Sequence, residues 1–442
     1  MEAWSFLAAL IAFIFLGVLA GALTGLTPGL HVNNVAAVLL ASQAAWAGLL
    51  VALAGPDATE APAGALLLSA FLLSTATSHA VFDFIPSVFF GAPSEETALS
   101  ILPGHRLLLE GRGAHAVALA ARGALLGALA SVVVILPLRL LLADPVELAE
   151  RFAPFAPAFL ACILAALLLS EMRGRTARWR RTSWAAATQV LAGLLGLAVL
   201  RGPSGVAPEM ALFPLFTGLF GFPGLLIAAR APPSAIPPQI LEWFRRATRL
   251  DATQVVRGTV AGAAVSWLPG LSGGAAASLA SVGARRSNAE AYMVLLGAVS
   301  TSTAILSVAV LFVIQRARSG VASAVRTLHG SDLGWATATS VPEALIALLA
   351  ASVLGAAIAA PLATRLARGI ARRWSSVNAR RLAQATLAGL LALLAAIAGP
   401  AGVVVAGVAA LAGLVPVRAG VQRVHLMSAL LVPILASGLS NG

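Results

Sequence analysis

The residues best suited to chemistry are a proline, a glycine and the polar group behind them. Residues 21–34 read GALTGLTPGLHVNN and interrupt an apolar run that begins near Phe6 and resumes at Val35. Proline lacks an N–H and crowds the preceding turn, while glycine tolerates φ > 0, so Thr27-Pro28-Gly29 ends one helix and starts another. Backbone groups freed at membrane depth must be met by protein or by a polar cavity. The first N–H groups of the new helix carry partial positive charge, which suits an anion. His31, Asn33 and Asn34 stand beside them as further donors. The motif recurs. Residues 17–40 (GVLAGALTGLTPGLHVNNVAAVLL) lie without a gap on residues 258–281 (GTVAGAAVSWLPGLSGGAAASLAS), pairing Gly17 with Gly258, Gly21 with Gly262, Pro28 with Pro269 and Gly29 with Gly270. Ser272, Gly273 and Gly274 follow the second copy. Paired interruptions in two halves of a chain point to one binding cleft near the bilayer midplane, and to helix breaks that are more than kinks.

Each copy is followed by a weaker echo, LLSTATSHAVFDF at 72–84 and LLGAVSTSTAILS at 295–307. Their hydroxyls, Thr77 and Ser78 in the first and Ser300, Thr301, Ser302 and Thr303 in the second, either ligate Na⁺ or bond back to their own helix. Asp83 ends the first echo: an ionisable group in an apolar run is a proton carrier or cation ligand, unless it faces water at the interface. Na⁺ or H⁺ is thus the expected coupling ion, with no cofactor and no metal site. His105, His115, His329 and His425 have no ligand spacing and read as surface or interfacial. Pro103-Gly104-His105-Arg106 reads as a second re-entrant turn or a loop. There is no His-Glu metal motif, nucleophile elbow or intramembrane aspartate pair, so an enzyme is not expected.

The elements that position these residues follow from composition. Of 442 residues, 59% are hydrophobic and 10% charged. The apolar runs repeatedly reach the roughly 20 residues a helix needs to cross a bilayer. Ala, Leu and Gly fill them continuously, which excludes a barrel. The expected fold is all-α: a polytopic bundle of roughly 10–12 spans with two inverted repeats and broken or re-entrant helices. Residues 1–229 form the first repeat, the Pro-rich 230–252 a linker, and 253–442 the second repeat. The net charge of +12 sits in short connectors, so it speaks of topology and not of nucleic acid. The basic stretches 171–184, 245–249 and 365–381 are expected in the cytoplasm, with the chain in the plasma membrane. The single Cys162 excludes an intramolecular disulfide, and the N-terminus reads as a retained first span rather than a signal peptide.

The Pro-Gly-Leu repeat, together with FFGAPSEETALSILPGHRLLLEGRGAHAVALAARGALLG at 89–127, resembles the large membrane subunit of tripartite tricarboxylate transporters, the TctA family. Gly91-Ala92-Pro93, Glu110-Gly111-Arg112-Gly113-Ala114 and Pro269-Gly270-Leu271-Ser272-Gly273-Gly274 stand where that family has its Ile-Pro-Gly-Thr-Pro turn, its Gly-rich basic stretch and its second Pro-Gly-Leu-Gly-Gly. The resemblance implies a secondary active, alternating-access permease for a small organic anion such as a di- or tricarboxylate. The anion would sit at the paired breaks, and a cation would be coupled through Asp83 and the hydroxyls. It also implies a small membrane subunit and a solute-binding protein as partners. His31-Val32-Asn33-Asn34 departs from the family's Gly-rich follow-on, which points to a divergent, archaeal, stand-alone branch, with a homodimer as the expected assembly. PGLSGG is also similar to the Pro-Gly-Val-Ser-Gly-Gly turn of polyprenyl-phosphate translocases, so a flippase of an anionic lipid is the alternative.

Overall fold

The computed structural model describes residues 3–440 apart from 28–29, 31, 56–61, 91–100, 173–177, 208–209, 231–236, 241–248, 269–275, 278–279, 281–287, 331–332 and 374–378. Among the described residues every regular element is helical. In chain order these are α1 (Ala3–Leu26), α2 (Val32–Ala41), α3 (Gln43–Ala54), α4 (Ala63–Phe82), α5 (Phe84–Phe90), α6 (Ile101–Leu109), α7 (Gly113–Leu142), α8 (Leu148–Phe152) and α9 (Ala156–Glu171). There follow α10 (Arg178–Leu200), α11 (Leu212–Phe216), α12 (Phe222–Arg230), α13 (Arg249–Trp267), α14 (Ala289–Ile314), α15 (Gly320–His329), α16 (Glu343–Arg373), α17 (Ala379–Ala419) and α18 (Ser428–Ser440). Eight stretches among the described residues are long and apolar enough to cross a membrane, and three shorter apolar helices accompany them. α2 and α3, with 10 and 12 residues, are each too short to cross alone. Within α17, Gly399 at φ 66° bends the helix just before Pro400.

Lipid supplies no hydrophobic drive between helices, so close packing must come from small residues. α4 is clasped between the glycine face of α1 and Gly355 of α16, and α14 between Gly258 and Gly262 of α13 and Gly123 and Gly127 of α7. The contacts advance together: Gly17 meets Ser74 and Gly21 meets Ser78, while Gly258 meets Ala298 and Gly262 meets Ser302. Within each pair the helices therefore run parallel. One apolar cluster joins Leu67–Leu73 at the start of α4 to Ile305–Phe312 at the end of α14; another joins Val81 and Phe82 to Met293–Val299. α4 and α14 hence run in opposite directions, and each triplet takes its third helix from the other half of the sequence.

A second packing unit has its own core. Leu160, Ala192, Leu215, Val405 and Ala429 form one cluster, and Phe222, Leu225, Leu390 and Leu394 another, drawn from α9–α12 and α17–α18. A buried carboxylate pins it. Glu171 accepts from Arg181 at 2.8 Å and from the Gln422 N–H at 2.9 Å, and it lies 3.3 Å from His425 Nε2. Gln189 Nε2 is a donor and lies 3.2 Å from His425 Nδ1, so Nδ1 accepts and Nε2 carries the proton toward Glu171.

Several sequence expectations change here. His425 and His115 are buried, not surface residues, because Glu171 partners the first and Glu290, at 3.7 Å, lies beside the second. Pro103-Gly104-His105-Arg106 is neither turn nor loop but lies inside α6, where Pro103 falls in the first turn and forfeits no intrahelical bond. Arg365–Arg373 form the end of α16 instead of a loop, and Arg178–Arg181 the start of α10. The connector between halves is fastened where it is described: Gln239 accepts from the Gly113 N–H at 2.9 Å, and the Ile240 N–H bonds to Gly111 O at 2.6 Å.

Candidate functional site

Gly17, Gly21 and Gly25 recur every fourth residue and so form one stripe on α1. A methyl group at Gly21 would collide with Ser78 Oγ, and one at Gly25 would lie 2.8 Å from both the His79 carbonyl oxygen and Phe82 Cβ. With the two backbones this close, a polar row is sealed in: Ser74, Thr75, Thr77, Ser78, His79 and Asp83 are each at most 3% exposed. Thr77 donates to Leu73 O at 3.1 Å and Ser78 to Ser74 O at 2.5 Å, so both expected ion ligands are satisfied by their own helix.

His79 and Thr24 were not singled out in the sequence, although His79 stands one helical turn before Asp83. Thr24 Oγ1 donates to Gly21 O at 3.2 Å, so in its 3.0 Å contact with His79 Nδ1 the ring is the donor. Asp83 lies inside the protein, not at a water-facing surface; its N–H donates to His79 O at 2.9 Å and keeps the backbone helical into α5.

The second crossing repeats the first with different chemistry. A methyl group at Gly262 would lie 2.9 Å from Ser302 Cβ. Ser302 Oγ is 3.1 Å from Gly127 O and 3.2 Å from Thr259 Oγ1, so it is satisfied where α7, α13 and α14 meet. Ser300 is buried beside it. The hydroxyls of Thr301 and Thr303 are buried and have no hydrogen-bond partner among the described residues. Each such group costs about 1–3 kcal/mol unless something meets it.

Of the expected anion-binding residues, Pro28, Gly29, His31, Pro269, Gly270, Ser272, Gly273, Gly274 and the Asn34 side chain lie outside the described residues. Their flanks are described. α1 has 24 residues and reaches about 36 Å at 1.5 Å per residue, so the first motif follows a helix of full crossing length instead of dividing it. Thr27 donates to Leu23 O at 2.8 Å. Asn33 packs on Gly320, where a methyl group would lie 2.8 Å from Asn33 Cγ. Trp267, two residues before Pro269, packs edge-on against Phe152 at 5.2 Å and shares a cavity with Arg316 and Arg318. The flank of the first motif thus reaches the start of α15, and that of the second the connector just before it. No cluster of His, Cys, Asp and Glu able to hold a metal occurs among the described residues.

The family described as Tripartite tricarboxylate transporter TctA family matches residues 11–428. An uncharacterized protein of Methanocaldococcus jannaschii is 29% identical over 326 residues, 73% of this chain and 73% of its own. No solved structure matches the chain. Eight helices of crossing length and a family match over nearly the whole sequence lead to one conclusion: the chain is a multi-pass integral membrane protein and belongs to the TctA family of tripartite tricarboxylate transporters.

Proposed function

We propose that this chain is the permease of a cation-coupled secondary transporter for a small organic carboxylate, working by alternating access in the plasma membrane. The observation that carries the reading is the pair of buried hydroxyls, Thr301 and Thr303, left without partners beside the α13–α14 crossing that leads into Pro269-Gly270. Either one can supply an oxygen ligand for a hard cation such as Na⁺, since residues two apart on a helix point to different sides and do not converge on one ion. Asp83, buried just past the end of α4, supplies the charge that a cation or a proton needs. Thr77, Ser78 and Ser302 take supporting places, since each is already satisfied. The anion sits at Pro28-Gly29 and Pro269-Gly270, where two sets of freed N–H groups meet it. The separate apolar cores of the two packing units support a mechanism in which one unit moves against the other. Basic helix ends such as Arg178–Arg181 and Arg365–Arg373 face the cytoplasm.

Proteoliposome uptake tests this. Gly29→Leu and Gly270→Leu abolish carboxylate uptake while the protein stays folded, and Asp83→Asn removes its pH or Na⁺ dependence. Normal uptake in both glycine variants would refute the paired-break site. Uptake of polyprenyl phosphate in place of carboxylate would make the chain a lipid translocase, and copurification with a small membrane subunit would decide whether it works alone.

A further inference from the structure

At the end of α14 the chain turns sharply. Gln315 takes a left-handed conformation at φ 54°, and its side-chain amide is fastened to Phe312 O and Leu333 O. The turn carries Arg316 and Arg318 back over a cavity of about 170 Å³ whose other walls include Phe152, Trp267, Ile314 and three alanines. Arg318 Nε is buried without a hydrogen-bond partner, and neither arginine meets a carboxylate among the described residues. Burial, and next the neighbouring Arg316, hold the Arg318 guanidinium below its ordinary range. Arg316 is exposed at the rim and Arg318 is half-buried, and with no carboxylate of the described residues between the two like charges an anion there would be met by both. The start of α15, capped by Ser319 at 3.1 Å, adds the positive end of a helix next to them.

From this geometry we infer that the cavity between Trp267 and Arg318 binds a small carboxylate with an apolar body, its oxygens on Arg316 and Arg318 and its hydrocarbon part against Trp267 and Phe152. Size and lining set the class. A cavity of about 150 Å³ accepts a benzene ring, so 170 Å³ holds a benzoate-sized ligand. Citrate would place charged carboxylates against the aromatic and alanine walls, where they have no partner. The inference rests on the reading of the chain as an organic-anion transporter; the cavity is a second carboxylate site, distinct from the paired breaks, and it selects aryl or branched-alkyl carboxylates.

The test uses the purified full chain in nanodiscs of neutral lipid, with radiolabelled benzoate as the probe and citrate and phosphatidate as competitors. Benzoate binds the wild type, a large excess of citrate leaves it bound, and Arg318→Gln weakens it at least about tenfold through the lost charge-assisted bonds. Arg316→Gln, at an exposed position, does the same without threatening the fold. Benzoate affinity unchanged in both variants overturns the site. Displacement by phosphatidate at low excess overturns it as well, since the cavity would then hold a lipid headgroup. Carboxylate uptake in vesicles is scored separately: uptake without benzoate binding sinks this inference alone, whereas binding without uptake of any carboxylate sinks the transporter reading and leaves the site.

Discussion

Gly320 backs onto Asn33, so closely that a methyl group on Gly320 would lie 2.8 Å from Asn33 Cγ and Oδ1. A residue just past the first Pro-Gly is thereby held against the helix that opens just past the two cavity arginines. Gly320→Ala costs about 1–3 kcal/mol through overpacking and lowers uptake. Adding Asn33→Ala to Gly320→Ala recovers most of that stability if the contact is local, which a double-mutant cycle of melting temperatures reads directly.

Two glycines separate packing from propensity. Gly21→Ala drives a methyl into Ser78 and the Thr75 carbonyl and destabilises the protein by about 1–3 kcal/mol. Gly48, inside α3, has open space around it, and Gly48→Ala stabilises by up to about 1 kcal/mol. Equal effects in a thermal-unfolding assay would mean that the α1–α4 contact is looser than described.

Thr301→Val and Thr303→Val remove buried hydroxyls that have no hydrogen-bond partner among the described residues. Stability stays level or rises by about 1 kcal/mol, while cation dependence of uptake disappears. Retained cation dependence, measured across a Na⁺ series and a pH series, would return these groups to plain packing.

Glu171→Ala strips His425, Arg181 and the Gln422 N–H of their shared acceptor. The expected loss is about 3–5 kcal/mol, as for other broken buried pairs. A Glu171→Leu, His425→Leu double variant loses less, because the buried histidine is no longer left without its acceptor, although Arg181 and the Gln422 N–H still lose theirs. Melting in detergent compares the two.

Much of the first crossing is legible in the sequence. The stripe at Gly17 and Gly21 and its copy at Gly258 and Gly262 are visible as letters, whereas the sequence leaves Asp83 open between burial and a water-facing interface, and only the packing buries it. Register is less so. Laying 72–84 on 295–307 pairs Ser78 with Thr301, whereas the glycine contacts pair Ser78 with Ser302, because only the facing backbone fixes which hydroxyl a glycine meets. The partners of α4 and α14 cannot be read from order along the chain, since α16 and α7 arrive from the opposite halves. His425 reads as a lone histidine until Glu171, far away in sequence, comes to meet it. Nothing in the sequence marks Arg316 and Arg318, and only the left-handed turn at Gln315 brings them over a cavity.

The exchange of third helices also constrains biogenesis. When α4 leaves the ribosome, the surface that will receive Gly355 has nothing to cover its hydroxyls, and it must wait until α16 is synthesised. A gene cut within residues 241–248 therefore yields two fragments that are each incomplete, and a stable product forms only when both are coexpressed and find each other in the bilayer.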